Sequence, residues 1–500
     1  MRYLLTVLCL FLFTNSVFAF NIGDSVDKYL APISDAFSWV VFYPIKIGSA
    51  TVPISILWIL IAGIIMTILL KGIAVWGFGH ATKLLCKNPN SSKSEDIGEV
   101  SSFQALATAL SGTIGIGSIA GVAIAISIGG PGAAFWMFIG AFLGMSLKFV
   151  EASLAIKFRR FNKDGSVSGG PMYYISHGLT RKNLRWLGQP LAVIFAALLI
   201  PGALGGGNML QVNQATKQMV NITGGDNSIF AHYPWLFGLI FAIIVGFVIV
   251  GGIKSIANVT SKIVPFMCFL YVGLALFIIL LNFTQIPHAI WLVIKQAFVP
   301  DAVYGGVAGT IIIGLRRSVQ SNEAGTGSAP IAYATVKTRE PVSQGFISLM
   351  EPFLTACLCS LSAAAIILTG AYKNYQDGIS GVELTSDAFQ KVFPWAPYVL
   401  AAVIILFALS TIISWAYYGQ KGWTYLFGEN NKKSIIAYQL AFCVIIVIGS
   451  TMNLTSIVNF TDAGLLAMAV PNIIAMYILF PDLKHDIRKY CKKHNFGKFY

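Results

Sequence analysis

Two stretches decide how this chain folds: Ser111-Gly-Thr-Ile-Gly-Ile-Gly-Ser118 and Ser321-Asn-Glu-Ala-Gly-Thr-Gly-Ser328. The first interrupts an apolar run that continues through Ile119-Ala-Gly-Val-Ala-Ile-Ala-Ile-Ser127, and the second is followed by Ala329-Pro330. Each glycine costs a helix about 1 kcal/mol relative to alanine, so each cluster lets a helix unwind in mid-span. In hydrocarbon the freed backbone groups have no partner, and such backbone persists only where it is buried in protein or lines a cavity. There a half-helix amino end faces an anion, and freed carbonyls face a cation. An amino-acid zwitterion accompanied by a sodium ion needs this combination. Close packing between helices is the other use of small residues in membranes. A matched break in each half of the chain favours the binding site.

The rest of the sequence places these breaks in a membrane. Of 500 residues, 56% are apolar and 11% charged, against roughly 25% charged in a soluble domain. Apolar runs long enough to cross a ~30 Å hydrocarbon core recur throughout. Residues 1–20 read as a signal sequence, with Arg2, an apolar stretch and small residues ending at Ala19; an uncleaved first span is the alternative. Eleven spans follow, at about 53–70, 101–129, 131–157, 190–215, 235–251, 263–282, 305–335, 345–370, 396–418, 435–451 and 461–480. The seven cysteines form no CxxC, and all but Cys9 fall in spans or cytoplasmic segments, which argues against disulfides.

Orientation follows from charge. With residues before 53 outside, cytoplasmic segments carry 24 Lys and Arg, outside segments 7, and spans 3. That excess puts the amino end outside and the carboxyl end inside a bacterial inner membrane. It also accounts for the net charge of +14 without nucleic acid. Apart from the first span, ten remain. The domain plan is thus a segment 21–100 with an extra span and cytoplasmic loop, repeats at 101–282 and 305–480, and a basic tail at 481–500. Five spans per half invert the second half relative to the first, a recurring transporter plan. The fold class is all-α and polytopic, with two inverted five-helix repeats and one extra helix.

At these residues the chain resembles the alanine or glycine:cation symporter family, also called the sodium:alanine symporters. The resemblance runs from about 53 to 480. It is carried by Gly115-Ile-Gly-Ser-Ile-Ala-Gly-Val-Ala123, Gly129-Gly-Pro-Gly-Ala-Ala-Phe-Trp136, Gly170-Pro-Met-Tyr-Tyr-Ile175, Gly205-Gly-Gly-Asn-Met-Leu-Gln211, Ser321 to Pro330, and Ser414-Trp-Ala-Tyr-Tyr-Gly419. It implies a LeuT-type fold and symport of a small neutral amino acid with sodium, or with a proton. It also implies a substrate site between the breaks. Gly115 and Gly117 would offer backbone to the carboxylate, with Ser321, Asn322 and Gly325 facing the substrate from the other half. Gln211 either projects its amide into the pocket or bonds between helices. A sodium ion would take the carbonyls of Ser111 and Ile114 with the hydroxyls of Ser410 and Thr411. Alternatively, both hydroxyls bond back to their own helix. The family usually reads Gly-Thr-Gly-Asn where this chain has Gly115-Ile-Gly-Ser118, and Ile116 beside the substrate would favour alanine over serine. The family also tends to carry an aspartate in the next helix of the second half, where Phe353 to Ser360 has none.

Charges within spans need partners. Lys148 and Glu151, three apart on one helix, are expected to pair. Glu323 at the second break is expected to bind the substrate ammonium, take up a proton or anchor unwound backbone. Arg316 and Arg317 would form an outer gate or hold Glu323. Lipid is the other expected partner, and the sequence carries no signal of oligomeric state. A passive channel has no need of inverted halves, and an enzyme is disfavoured by the absence of HExxH and GxSxG. A transporter-like sensor is left open.

Overall fold

The computed structural model describes residues 38–47, 50–86, 97–162, 165–299, 306–373, 381–429 and 431–497. The expected signal sequence and Cys9 lie outside the described residues. The six described cysteines are all free thiols.

A hairpin of β1 (Pro44–Ile47) and β2 (Ala50–Pro53) opens the described chain, with Pro44 opposite Pro53. The main helices follow in order: α1 (Ile54–Leu69), α2 (Phe78–Cys86), α3 (Ser102–Thr113), α4 (Ala120–Gly129), α5 (Ala133–Lys157), α6 (Arg185–Leu204), α7 (Leu210–Ile222) and α8 (Pro234–Ile249). Then come α9 (Gly252–Leu281), α10 (Ile286–Phe298), α11 (Gly306–Asn322), α12 (Pro330–Tyr333), α13 (Pro341–Ser348), α14 (Met350–Leu368), α15 (Val382–Gln390), α16 (Ala396–Phe427), α17 (Lys432–Gly449) and α18 (Leu454–Lys493).

Among the described residues, seven helical stretches are long and apolar enough to cross a membrane, or nine with two bent pairs. The bent pairs are α1 with Ile73–Cys86, at 64°, and α3 with Ile116–Gly129, at 63°. Reaching eleven spans requires counting two more stretches: α8, of only 16 residues, and α11–α12, divided by the second break. Several helices run past their expected ends; α18 spans 40 residues despite Pro471 and Pro481. Large side chains such as Phe247, Phe266 and Phe269 on α8 and α9 are exposed, a surface suited to hydrocarbon rather than water. The chain is an integral membrane protein.

Local chemistry sets the ends of the critical helices. Ser101 caps α3, accepting from the Gln104 N–H while Gln104 reciprocates to the Ser101 N–H. α6 and α7 form one continuous span joined by a wide turn at Gly205–Met209. A Cβ on Gly207 would collide with the Trp415 ring, so α16 approaches this turn closely only because it is glycine. Breaks, wide turn and α16 thereby meet at the centre of the molecule.

At one end, the segment leading into α3 and the segment leaving α12 are joined. Arg159, just after α5, donates to the carbonyls of Ala334 and Ile97 at 2.9 Å each, and also to Val336 and Thr338. Val100 and Val336 form a parallel bridge beside it.

Candidate functional site

The first break consists of Ile114 at the end of α3 (φ −79°, ψ 69°), extended Gly115 and one tight turn at Ile116–Ser118. The second begins with Glu323, a non-glycine residue in the left-handed region (φ 53°), and continues through Gly325 and Gly327 at φ 84° and 87°. Glycine tolerates that region without a Cβ clash. Asn322 stabilises the turn: its Oδ1 accepts from the Ala324 N–H at 2.9 Å and its Nδ2 donates to Ser318 at 3.1 Å.

Between the breaks lies a narrow cleft lined by Gly115, Gly117, Gln211, Gln320, Glu323 and Thr461, with Leu210 and Leu465 beside them. Its water-sized space is about 10 Å³, about the minimum for one water molecule. Admitting an amino acid would require the walls to part. Four of the expected site residues, Gly115, Gly117, Gln211 and Glu323, therefore meet here. Gln211 makes the expected bond between helices. It lines the cleft, and its Oε1 accepts from the Ile116 N–H at 3.0 Å while its Nε2 donates to Gly206 O at 2.8 Å.

Others lie elsewhere. The Ser321 hydroxyl is 3.0 Å from Cys359 Sγ on α14. Asn322 lines a separate apolar crevice with α1 and α5. A Cβ on Gly325 would meet Leu147, Ile473 and Ile59 at 3.2–3.7 Å, so its free side faces α5, α18 and α1. Ile116 is fully buried in the apolar core and does not line the cleft. The expected result of Ile116→Thr is therefore an unchanged serine-to-alanine preference, read by competition for uptake.

Beside the first break, oxygens from α3 and α16 converge. Thr411 Oγ1 donates to Ser111 O at 2.8 Å, Ser111 Oγ donates to Ser410 O at 3.1 Å, and Ser111 and Ser414 share a short hydroxyl contact. A Cβ on Gly115 would lie 2.6 Å from Thr411 Oγ1, so the break presses directly on this cluster. The Ser410 hydroxyl turns back to Phe407 O at 3.0 Å. Among the described residues no group of three or more His, Cys, Asp or Glu is placed to hold a metal. A hard cation would rest here on hydroxyl and carbonyl oxygens, chemistry it accepts.

The charged groups correct the sequence reading. Lys148 does not pair with Glu151; its Nζ lies 2.8 Å from Glu351 on α14, with both side chains fully buried. The i,i+3 spacing puts Lys148 and Glu151 near one another, but each reaches a different helix. Glu151 Oε1 accepts from Asn472 Nδ2 at 2.6 Å and from the Gly327 N–H at 3.1 Å, anchoring the second break. Glu323 accepts from Ser328 Oγ at 2.5 Å. Arg316 and Arg317 do not hold Glu323: both bond Asp462 Oδ2 on α18, at 2.7 and 2.6 Å. Sequence reasoning missed Glu351, Asp462 and Asn472. The signal was present, since carboxylates and amides inside apolar spans are functional candidates by default.

The sodium:alanine symporter family model matches residues 40–499. The chain is 38% identical over 431 residues to the sodium/alanine symporter AgcS of Methanococcus maripaludis, covering 85% of this chain and 92% of that one. It is 32% identical over 477 residues to the amino-acid carrier protein AlsT of Bacillus subtilis, covering 95% and 94%. Among solved structures, MhsT in complex with L-phenylalanine superposes with a TM-score of 0.52 at 14% identity, covering 77% of this chain and 99% of that one. At that identity the likeness concerns the fold alone, and it is the LeuT-type fold expected from the sequence.

Proposed function

Because the chain belongs to the sodium:alanine symporter family, we propose that it imports a small neutral amino acid of the alanine or glycine type with sodium. Transport proceeds by alternating access to the cleft between the breaks. The chain is a cation-coupled amino-acid transporter and not an enzyme. One observation carries the finer reading. Gly115 sits at once against Thr411 Oγ1, in the oxygen cluster, and against Gln211 Oε1, in the cleft wall. An ion on one side and a substrate on the other would each set the position of the same backbone, which is a physical basis for coupling.

In this reading the sodium ion takes Ser111 O, Thr411 Oγ1 and neighbouring carbonyls, and the amino acid lies across Gly115 and Gly117 with its ammonium toward Glu323. The excess of Lys and Arg in alternate loops supports a bacterial inner membrane with the amino end outside. The Arg316/Arg317–Asp462 pairs then close the outer side, and Arg159 the inner.

Proton coupling is the second reading. Among the described residues four buried carboxylates, Glu151, Glu323, Glu351 and Asp462, share the interior with two buried cations, Lys148 and Arg317, so protons offer one way to balance the excess negative charge. Uptake of labelled alanine, glycine and serine into proteoliposomes, with sodium and proton gradients imposed separately, tests both. Accumulation driven by sodium alone supports the first reading, and accumulation driven only by a proton gradient replaces it. Thr411→Ala is expected to raise the half-saturating sodium concentration about tenfold, from loss of one ion ligand worth about 1–1.5 kcal/mol. Ser410→Ala should change it little, since that hydroxyl already bonds its own helix.

A further inference from the structure

Two polar side chains that line the cleft have buried atoms without a hydrogen-bond partner. Thr461 on α18 is fully buried, and its Oγ1 makes no hydrogen bond. Gln320, three residues before Glu323, has its Oε1 engaged by Arg317 Nη1, while its Nε2 is buried without an acceptor. The guanidinium can only donate, so it fixes the amide orientation and leaves the NH2 group as the free end. Both residues line the cleft opposite the first break. Buried polar groups are almost always satisfied by protein, water or ligand. Two unsatisfied groups on different helices, lining one cleft, point to a ligand.

The ligand's chemistry follows from theirs. An amide NH2 offers donors only, and a hydroxyl can donate. An ammonium cannot bond to the NH2 group, whereas a carboxylate accepts from both. The nearby Glu323 carboxylate is an acceptor suited to the ammonium. Resting on the reading of this cleft as the amino-acid site, we infer that Gln320 and Thr461 hold the α-carboxylate of the transported amino acid from the side opposite the Gly115 and Gly117 backbone. The assignment also links substrate to gate. Arg317 bonds Gln320 Oε1 on one side and Asp462 Oδ2 on the other. A carboxylate on Gln320 Nε2 polarises the amide and strengthens its oxygen as an acceptor. Bound substrate thus steadies Arg317, and with it the ion pair that joins α11 to α18.

Titration calorimetry on the purified full-length protein in nanodiscs tests this. The tightest binder among alanine, glycine and serine is compared with its amino alcohol, which keeps the ammonium but lacks the carboxylate. Wild type is expected to prefer the acid by about 100-fold, from two hydrogen bonds to a charged group. Thr461→Val, a near-isosteric change, and Gln320→Leu are each expected to weaken acid binding about tenfold or more. Alcohol binding should stay within about twofold, so the ratio collapses. A merely structural role would weaken both ligands together. Acid-to-alcohol ratios equal to wild type in both variants would overturn the assignment. If Gln320→Leu fails to fold, Thr461→Val decides. A wild type that binds none of the three amino acids would overturn the reading of the cleft itself, and this assignment with it.

Discussion

Gly115→Ala is expected to yield a protein that inserts and folds but whose sodium-driven uptake falls by a factor of about 100 or more. The added Cβ would lie 2.6 Å from Thr411 Oγ1 and 2.9 Å from Gln211 Oε1. Neither oxygen is the loose end of a free side chain: Thr411 holds Ser111 O, and Gln211 holds the Ile116 N–H. One methyl therefore displaces the oxygen cluster and the cleft wall together. Backbone strain is not the cause, because Gly115 is extended (φ −105°, ψ −160°). Overpacking of this kind typically costs 1–3 kcal/mol, and here it falls on the ion and the substrate, so the two losses multiply. Gly117→Ala is the control. Its Cβ would find only ordinary contacts at 3.8 Å, narrowing the cleft without touching the oxygens, so sodium affinity should hold while amino-acid affinity drops. Uptake normalised to membrane protein measures both. A wild-type rate in Gly115→Ala would detach this break from transport.

Lys148→Met should be the most destabilising single change in the membrane interior. It leaves Glu351 buried with the Tyr333 hydroxyl donating to it from 2.7 Å but with no cation in the pair. Removing one partner of a buried ion pair costs about 3–5 kcal/mol, a large share of the 5–15 kcal/mol that holds a typical protein folded. Glu351→Leu strands the lysine and should cost a similar amount. The double variant, with both charges replaced by apolar groups, should recover much of the loss, since well-packed replacements for buried pairs are often close to neutral. Thermal unfolding in detergent reads all three. Single variants melting with wild type would mean that the pair contributes nothing, whatever its geometry.

The two sets of residues differ in how visible they were beforehand. Hydropathy marks the seven to nine stretches able to cross a membrane, and clustered glycines mark the breaks at 111–118 and 321–328, because both signals are local. The direction in which a residue faces around its helix was not legible. In a membrane both the lipid side and the protein side are apolar, so no polar stripe marks the buried face. Gly117 lines the cleft while Gly325, its counterpart in the other break, faces α1, α5 and α18. Nor was partner choice legible. Lys148 and Glu351 are 203 residues apart, and Arg317 and Asp462 are 145 apart, so only the folded chain brings them together. The i,i+3 rule joined Lys148 to Glu151 because it knows one helix at a time.

The clamp at Arg159 has a mechanical consequence. A single guanidinium grips the segment leading into the first broken helix and the segment leaving the second, with Val100 and Val336 bridged beside it. The two arms of the machine are pinned on one rivet, so neither can swing from this end while the other stays. The rivet's four carbonyl partners are divided between the two arms, so freeing either arm means breaking charge-assisted hydrogen bonds.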